Sequence, residues 1–511
     1  MARLHRVRHC VKCLLFVVLV VNGLIWLSFT MQEYGRGQKS GDRIVNNDSI
    51  ILAQNPPIDG TYRRLTDHLY VYSVFADLRT GGNMGANKMR IVAVSQANYT
   101  QLECVFRVNN AVNHGESHRN PAKLPTKPAL FTSGVGKHDW YEASENHGRK
   151  WRTFYASCDL PVPFASVLPY QHNYQRVNID NKNNNNQKMV LICASVHDEL
   201  PATAAVLGER KTSATRTKKR SHRENTRQQQ QQRRRHCIRM PIANVLRDDD
   251  NSNDPRYKYA LCTPLLRFDG HYSPRYLVEF MEMQQLLGVE HVLMYADDEV
   301  LDDAAFGRVL RHYEEQGRLT AVRYTLPEAL RQSARLSVHY DGQLVMIADC
   351  HMRMIGKTVY LAVHDLDEFI VPQSPDRYQS TLSLLSELFE QNNRSAVVQV
   401  NTRYFALRSA GPMMELPTQK VTTAQSKPDD RLTKCISRPE RVFEHGIHHV
   451  SRVLKDELLV GRPASDVLLV HHFKQRVFIA TKQSVEIDLL RRVYGDRMLA
   501  RYYEVLALLR L

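Results

Sequence analysis

The chain has 511 residues, room for two or three domains, and its 43% hydrophobic and 24% charged residues are those of a globular protein with a substantial core. Collagenous, coiled-coil, wholly disordered and small disulfide-scaffold classes are excluded. The net charge of +16 is local: residues 1–12 hold four Lys/Arg, residues 209–239 hold twelve against two acids, and the rest carries only +2, so no basic groove for nucleic acid is implied.

The basic tail 1–12 precedes CLLFVVLVVNGLIWLSFTM, residues 13–31, nineteen positions without a charge. At ~1.5 Å per residue this run spans roughly 28 Å, the hydrocarbon thickness of a thin, early secretory bilayer. A cleaved signal peptide has a shorter apolar part and a small-x-small cleavage site. Ser28-Phe29-Thr30 is a poor one, so the run reads as a signal-anchor. The positive-inside rule keeps 1–12 cytoplasmic and puts everything after Met31 in the lumen, a single-pass type II arrangement. Residues 32–65 are polar, include Pro56-Pro57, and read as a stem. Asn47, Asn98 and Asn393 begin glycosylation sequons, meaningful in that compartment. Seven cysteines follow the span, at 104, 158, 193, 237, 262, 350 and 435. None forms a C-x-x-C pair, so widely spaced disulfides are expected with at least one thiol free or joined to another chain; connectivity stays open.

From 66 to 205 short apolar strands at 69–75, 89–94, 103–108, 152–157 and 189–194 alternate with turn-forming stretches, which predicts a β-rich accessory region. Residues 206–255 are basic and Gln-rich, with Gln228–Gln232 and Asp248–Asp250, and read as a disordered linker. A polyanion contact by this tract is the other reading, and a lumenal body would rarely meet nucleic acid. Over 256–480 the rhythm changes. Tyr276, Phe280, Met283 and Leu287 predict an amphipathic helix ended by Gly288. Strands follow at 289–296, 319–324, 358–363, 396–400 and 467–470, with helices at 305–316 and 336–357. Helices alternating with short apolar strands predict an α/β domain with a mostly parallel sheet. A helical segment, 481–511, closes the chain.

Ligands of such sheets sit at the carboxyl ends of the strands. Two strands end in acid there, at Asp297-Asp298 and at Asp365-Leu366-Asp367-Glu368. In an extended segment Asp365 and Asp367 project together, and two carboxylates make a hard-oxygen site for Mg²⁺ or Mn²⁺ with positions left open for a diphosphate. Helix capping by these acids is the plainer alternative.

The stretch Leu361-Ala-Val-His-Asp-Leu-Asp-Glu-Phe-Ile-Val-Pro372 resembles the metal-binding strand end of glycosyltransferase family 92. Cys262-Thr-Pro264, Gln285 through Tyr295, Tyr340-Asp-Gly-Gln343, Asp349-Cys350-His-Met-Arg353, Lys434 through Val442, Gly446-Ile-His448 and His471-His472-Phe473-Lys474 resemble that family's other segments in the same order. Asn401 through Ser409, Phe473 and Lys474 depart from its pattern. The resemblance implies a GT-A-type fold and inverting, metal-dependent transfer of a hexose, with UDP-galactose the expected donor, Mn²⁺ the expected cofactor and a glycan on glycoprotein or glycolipid the acceptor. It also implies residence in the Golgi membrane with the catalytic domain lumenal. On that basis Asp365, Asp367, His472 and His448 are metal candidates. Asp297, Asp365, Lys434 and Lys474 are donor contacts, Glu440 is the base, and Glu368 supports the ligands from behind. A catalytically inactive carbohydrate-binding protein of the same fold is the alternative; it would have lost metal ligands, and both aspartates are present.

Overall fold

The computed structural model describes residues 61–79, 87–96, 100–108, 129–135, 137–161, 189–195, 235–243, 255–331, 338–407, 412–475 and 483–511. The expected membrane span 13–31, residues 32–60 of the expected stem, Asn47 and Asn98 lie outside them. The last stem residues, 61–65, are a correction: they run into the first strand, where Leu65 is buried in the core. Among the described residues no helix is long and apolar enough to cross a membrane.

The described residues of the amino-terminal part form nine strands and one short 3-10 helix, Lys137–Asp139. β1 (Arg63–Thr66), β2 (Leu69–Asp77), β3 (Lys88–Ser95), β4 (Leu102–Val108), β5 (Ala129–Val135), β6 (Trp140–Glu142), β7 (Arg152–Asp159), β8 (Met189–Ser195) and β9 (Arg235–Pro241) form two antiparallel sheets, ordered β1-β2-β3-β7-β6 and β5-β4-β8-β9. Apolar side chains such as Val71, Ile91, Phe106 and Ile192 fill the space between them. The Cys104–Cys158 disulfide joins the two sheets and Cys193–Cys237 joins neighbouring strands of one. β9 corrects the linker expected over 206–255. Its Cys237, Ile238 and Met240 supply the apolar surface that the surrounding Arg and Gln lack, and its backbone pairs along the whole of β8.

The carboxy-terminal part centres on an eleven-stranded sheet. β10 (Tyr257–Leu266), β11 (His291–Ala296), β12 (Leu319–Arg323) and β13 (Thr358–Val363) run parallel. β14 (Glu368–Pro372), β15 (Ser395–Leu407), β16 (Thr423–Gln425), β17 (Asp429–Ser437), β20 (Leu459–Gly461), β21 (Leu468–Gln475) and β22 (Ser484–Glu486) extend it, mostly antiparallel. A separate hairpin pairs β18 (Val442–His445) with β19 (Val450–Val453). The sheet is therefore mixed, not mostly parallel as expected, because the chain reverses through a short turn between β13 and β14 and later strands such as β17 pair antiparallel.

Helices cover both faces. α1 (Pro274–Leu286), α2 (Asp298–Asp302), α3 (Ala304–Glu315), α4 (Gln343–Met354), α5 (Thr381–Glu390) and α6 (Leu489–Leu509) are the main ones. Ser273 caps α1 by accepting from Tyr276 N at 3.1 Å, with Pro274 in its first turn. Gly288 ends it at φ +93, where a Cβ would sit 2.7 Å from Leu382 Cβ. Alternation along the strands serves two cores: Tyr259, Leu261, Tyr360 and Ala362 face α1, α3 and α5, while Ala260, Cys262, Leu361 and Val363 face α4. This second core also takes in Tyr70, Tyr72, Phe75, Val92 and Tyr155 of the β-rich part, so the two regions share apolar packing. Cys262–Cys350 ties β10 to α4, and Cys435 is a free, buried thiol.

Candidate metal centre

β13 is buried through Val363, and the chain then reverses into β14 within four residues. Glu368 N donates to Asp365 O at 3.2 Å, closing a β-turn over Asp365-Leu366-Asp367-Glu368. Tyr276 pins the turn by donating its hydroxyl to Leu366 O at 2.8 Å, and Tyr272 stacks on Tyr276 with ring centroids 5.2 Å apart.

The turn corrects the expected aspartate pair. Side chains two apart share a side only in extended chain, and here Asp365 and Asp367 serve different partners. Asp365 Oδ2 lies 2.9 Å from Lys434 Nζ, and its Oδ1 accepts from Gln343 Nε2 at 3.2 Å. Asp367 Oδ2 lies 3.2 Å from His472 Nε2. The described residues that could hold one metal ion are Asp367, Glu368 and His472, with ligand atoms all within 4.8 Å of one another, and Asp365 stands outside that group.

Strand register explains the meeting. β14 and β21 pair antiparallel with Glu368 opposite His472, and Phe473 N donates to Asp367 O at 2.9 Å. Glu368 is 2% exposed and fully engaged. Its Oε1 lies 3.1 Å from His472 Nδ1, and its Oε2 lies 3.0 Å from Lys434 Nζ and accepts from Asp365 N at 2.8 Å. It thus orients the imidazole from behind, leaving the Nε2 edge and Asp367 as the open ligand pair. A carboxylate and an imidazole nitrogen suit a divalent ion of the Mn²⁺ or Mg²⁺ kind. Three carboxylates against the one lysine leave two negative charges for such an ion to neutralise.

Burial disfavours charge on Lys434, Glu368 and His472, but the neighbouring charges outweigh it. Lys434 is held well above its ordinary value by Asp365 and Glu368. Glu368 is held down, chiefly by Lys434 and then His472. For His472, Asp367 and Glu368 overcome desolvation and raise the value.

The remaining predicted residues divide. Lys434 is buried in the network as a counter-charge. Lys474 is exposed on the same strand as His472, its ammonium 5.6 Å from the ring centroid of Tyr404, whose ring also packs 5.2 Å from His472. Asp297, at the end of β11, caps α2 through Val300 N at 2.9 Å and accepts from Phe268 N at 3.2 Å. His448 is outside the metal group; its carbonyl accepts from Thr433 Oγ1 at 2.5 Å, and burial, then Lys434, lowers its pKa. Glu440 is a correction. It lies past Ser437, which pairs with Leu361 in the middle of β13, and its carboxylate accepts from Gly356 N at 3.0 Å, ahead of that strand. The turn lies after the other end of β13, so Glu440 is not in the centre. Asn393 is exposed in the turn before β15. Sequence reasoning missed Gln343 and Tyr404 as neighbours of the centre, although both lie in stretches it singled out.

Residues 257–485 match the family model of glycosyltransferase family 92. The chain is similar to the beta-1,4-galactosyltransferase galt-1 of Caenorhabditis elegans, 27% identical over 456 residues, 88% of this chain and 83% of that relative. The solved apo structure of the WbbM bifunctional glycosyltransferase overlaps 34% of this chain and 28% of its own at 8% identity and a TM-score of 0.17, an overlap on which nothing rests.

Proposed function

Starting from a chain whose residues 257–485 are a glycosyltransferase family 92 domain, we propose that it moves galactose from UDP-galactose onto a glycan acceptor with the help of Mn²⁺. The observation that carries this reading is the strand-end turn that brings Asp367 to the Nε2 edge of His472 within the matched segment. The galactosyltransferase named among its relatives supports the choice of sugar.

Each residue has a definable task. Asp367 and His472 Nε2 would hold the ion, and when bound it would take up charge growing on the diphosphate as the bond to the sugar breaks. Glu368 keeps the imidazole turned toward that position. Lys434 pairs with Asp365 and holds Glu368 ionised in a buried setting where that carboxylate alone would be costly. Asp365, with its side chain 33% exposed, is the carboxylate best placed to meet donor hydroxyls. Lys474, exposed beside Tyr404, supplies positive charge for phosphate.

The reading includes a GT-A-type donor domain, anchorage by residues 13–31 and a lumenal catalytic part in the Golgi. The three disulfides support an oxidising compartment. The test is a screen of nucleotide sugars against arrayed glycans with the full chain. UDP-galactose with Mn²⁺ should give transfer, and chelation should abolish it. Equal turnover after chelation, or preference for a different nucleotide sugar, would overturn the proposal at the metal or at the donor respectively.

A further inference from the structure

We infer that segment 141–147 of the β-rich region is part of the catalytic site, and that Glu145 is a positioning residue for the loop 446–449 beside Lys434. This rests on the transferase reading above.

Glu145 reaches out of the β-rich region with a side chain only 10% exposed. Its Oε2 accepts from Ile447 N at 2.5 Å, and its Oε1 lies 3.0 Å from His449 Nδ1. Gly446 makes the approach possible: a Cβ there would meet Glu145 Oε2 at 2.9 Å and His449 O at 2.8 Å. Gly446 N donates to His449 O at 2.9 Å, closing the loop on itself. The loop's other contact runs inward, where Thr433 Oγ1 donates to His448 O at 2.5 Å, one residue before Lys434. Glu145 therefore grips one side of a four-residue loop whose other side touches the strand that delivers the network's lysine.

Two more contacts show that the grip is not incidental. Glu444, fully buried on β18 just ahead of the loop, points the opposite way and accepts from Ser144 N at 2.7 Å and from Tyr141 Oη at 2.6 Å. From the far end of the segment, the His147 ring packs 4.3 Å from His339, which packs 4.3 Å from Tyr340. That turn leads to Gln343, the donor to Asp365. One accessory segment thus touches the supports of Lys434 on one side and of Asp365 on the other. Packing alone would be satisfied by apolar side chains; two buried carboxylates crossing in opposite directions onto backbone N–H groups fix register instead.

The experiment compares the full chain with Glu145→Ala and Glu145→Gln. Steady-state turnover with Mn²⁺, thermal denaturation and hydrogen exchange over 443–450 are measured on each. In Glu145→Ala, kcat should fall about tenfold or more while donor KM stays within about threefold, as expected for misplaced rather than lost groups. Exchange at 446–450 should quicken. Glu145→Gln, whose amide oxygen still accepts from Ile447 N, should recover most of kcat. Unchanged kcat in Glu145→Ala, or both variants losing kcat only in step with their melting temperatures, would overturn the inference. A wild-type chain without metal-dependent turnover would remove the transferase reading instead. The exchange data would then decide the clamp alone, and unchanged exchange at 446–450 would overturn it.

Discussion

Asp367 and His472 stand 105 positions apart in sequence and 3.2 Å apart at their reacting edges, and the buried charges behind them set what single substitutions do. Lys434→Met would leave Glu368 ionised and without its ammonium partner, at a cost of about 3–5 kcal/mol read from urea denaturation. A second buried acid gives a pH signature away from the centre. Glu279 on α1 is raised to about 8, mainly by burial, while its Oε1 accepts from Thr418 N and Oγ1. In the unfolded chain a glutamate loses its proton near pH ~4.3. Between there and about 8 the folded chain holds one proton more, so stability is greatest at the acid end and falls as pH rises through the window, by at most about 1.4 kcal/mol per unit. Glu279→Gln should flatten that slope in denaturant titrations from pH 5 to 8. At this scale the sequence singled out Asp367 through an apolar strand ending in acid, and His472 through the resemblance of its segment to a known family, and the structure brings the two together. It misjudged Asp365 because a turn replaces the extended chain that alternation assumes. It misjudged Glu440 because spacing along β17 does not reveal which end of β13 it reaches.

Among the elements, the turn before α4 carries the most concentrated backbone constraint. Tyr340, Asp341 and Gly342 all have positive φ, at 40, 53 and 85. Tyr324 Oη donates to Asp341 O at 2.7 Å and meets Tyr62 Oη at 2.8 Å, while Arg267 pairs with Asp341. A Cβ on Gly342 would lie 2.1 Å from Tyr324 Oη, so Gly342→Ala must shift a tyrosine held from two sides. A loss of about 1–3 kcal/mol in thermal stability is expected, accompanied by reduced turnover because Gln343 follows directly and donates to Asp365. Retained activity at a lowered melting point would separate the turn from the site. Periodicity located α1, α3 and the parallel strands β11, β12 and β13 well, since their apolar positions repeat cleanly against two cores; it missed β10, the strand between β11 and β13. It began α4 too early, at 336, because three left-handed residues leave no trace in hydrophobic spacing; the helix starts at Gln343. The short strands β16, β18, β19 and β20 carry too little apolar pattern to be read without their neighbours.

Taken whole, the part of the chain that matches the family model does not stand alone. Tyr70, Tyr72, Phe75, Val92 and Tyr155 pack in one core with Cys262, Leu344 and Ile347, and Arg79 donates to Pro439 O and Val442 O at 3.1 and 2.6 Å. A fragment of residues 256–511 should therefore expose an apolar face and fail to give a cooperative melt or a monodisperse elution profile; a soluble, sharply melting fragment would contradict the shared core. The sequence divided the chain by composition and could not foresee this sharing, because no pattern within either part reports which surface the other will cover. The basic tract misled in the same way: average composition over 206–255 hid seven residues that complete a sheet. The proposed divalent ion would be held by Asp367 and His472 at the strand end. Mn²⁺ titration of the full chain in the presence of UDP, followed by the paramagnetic signal of the free ion, tests it directly. One tight Mn²⁺ per chain is expected, weakened about tenfold or more in Asp367→Asn and in His472→Ala; wild-type affinity in either folded variant would overturn that ligand pair.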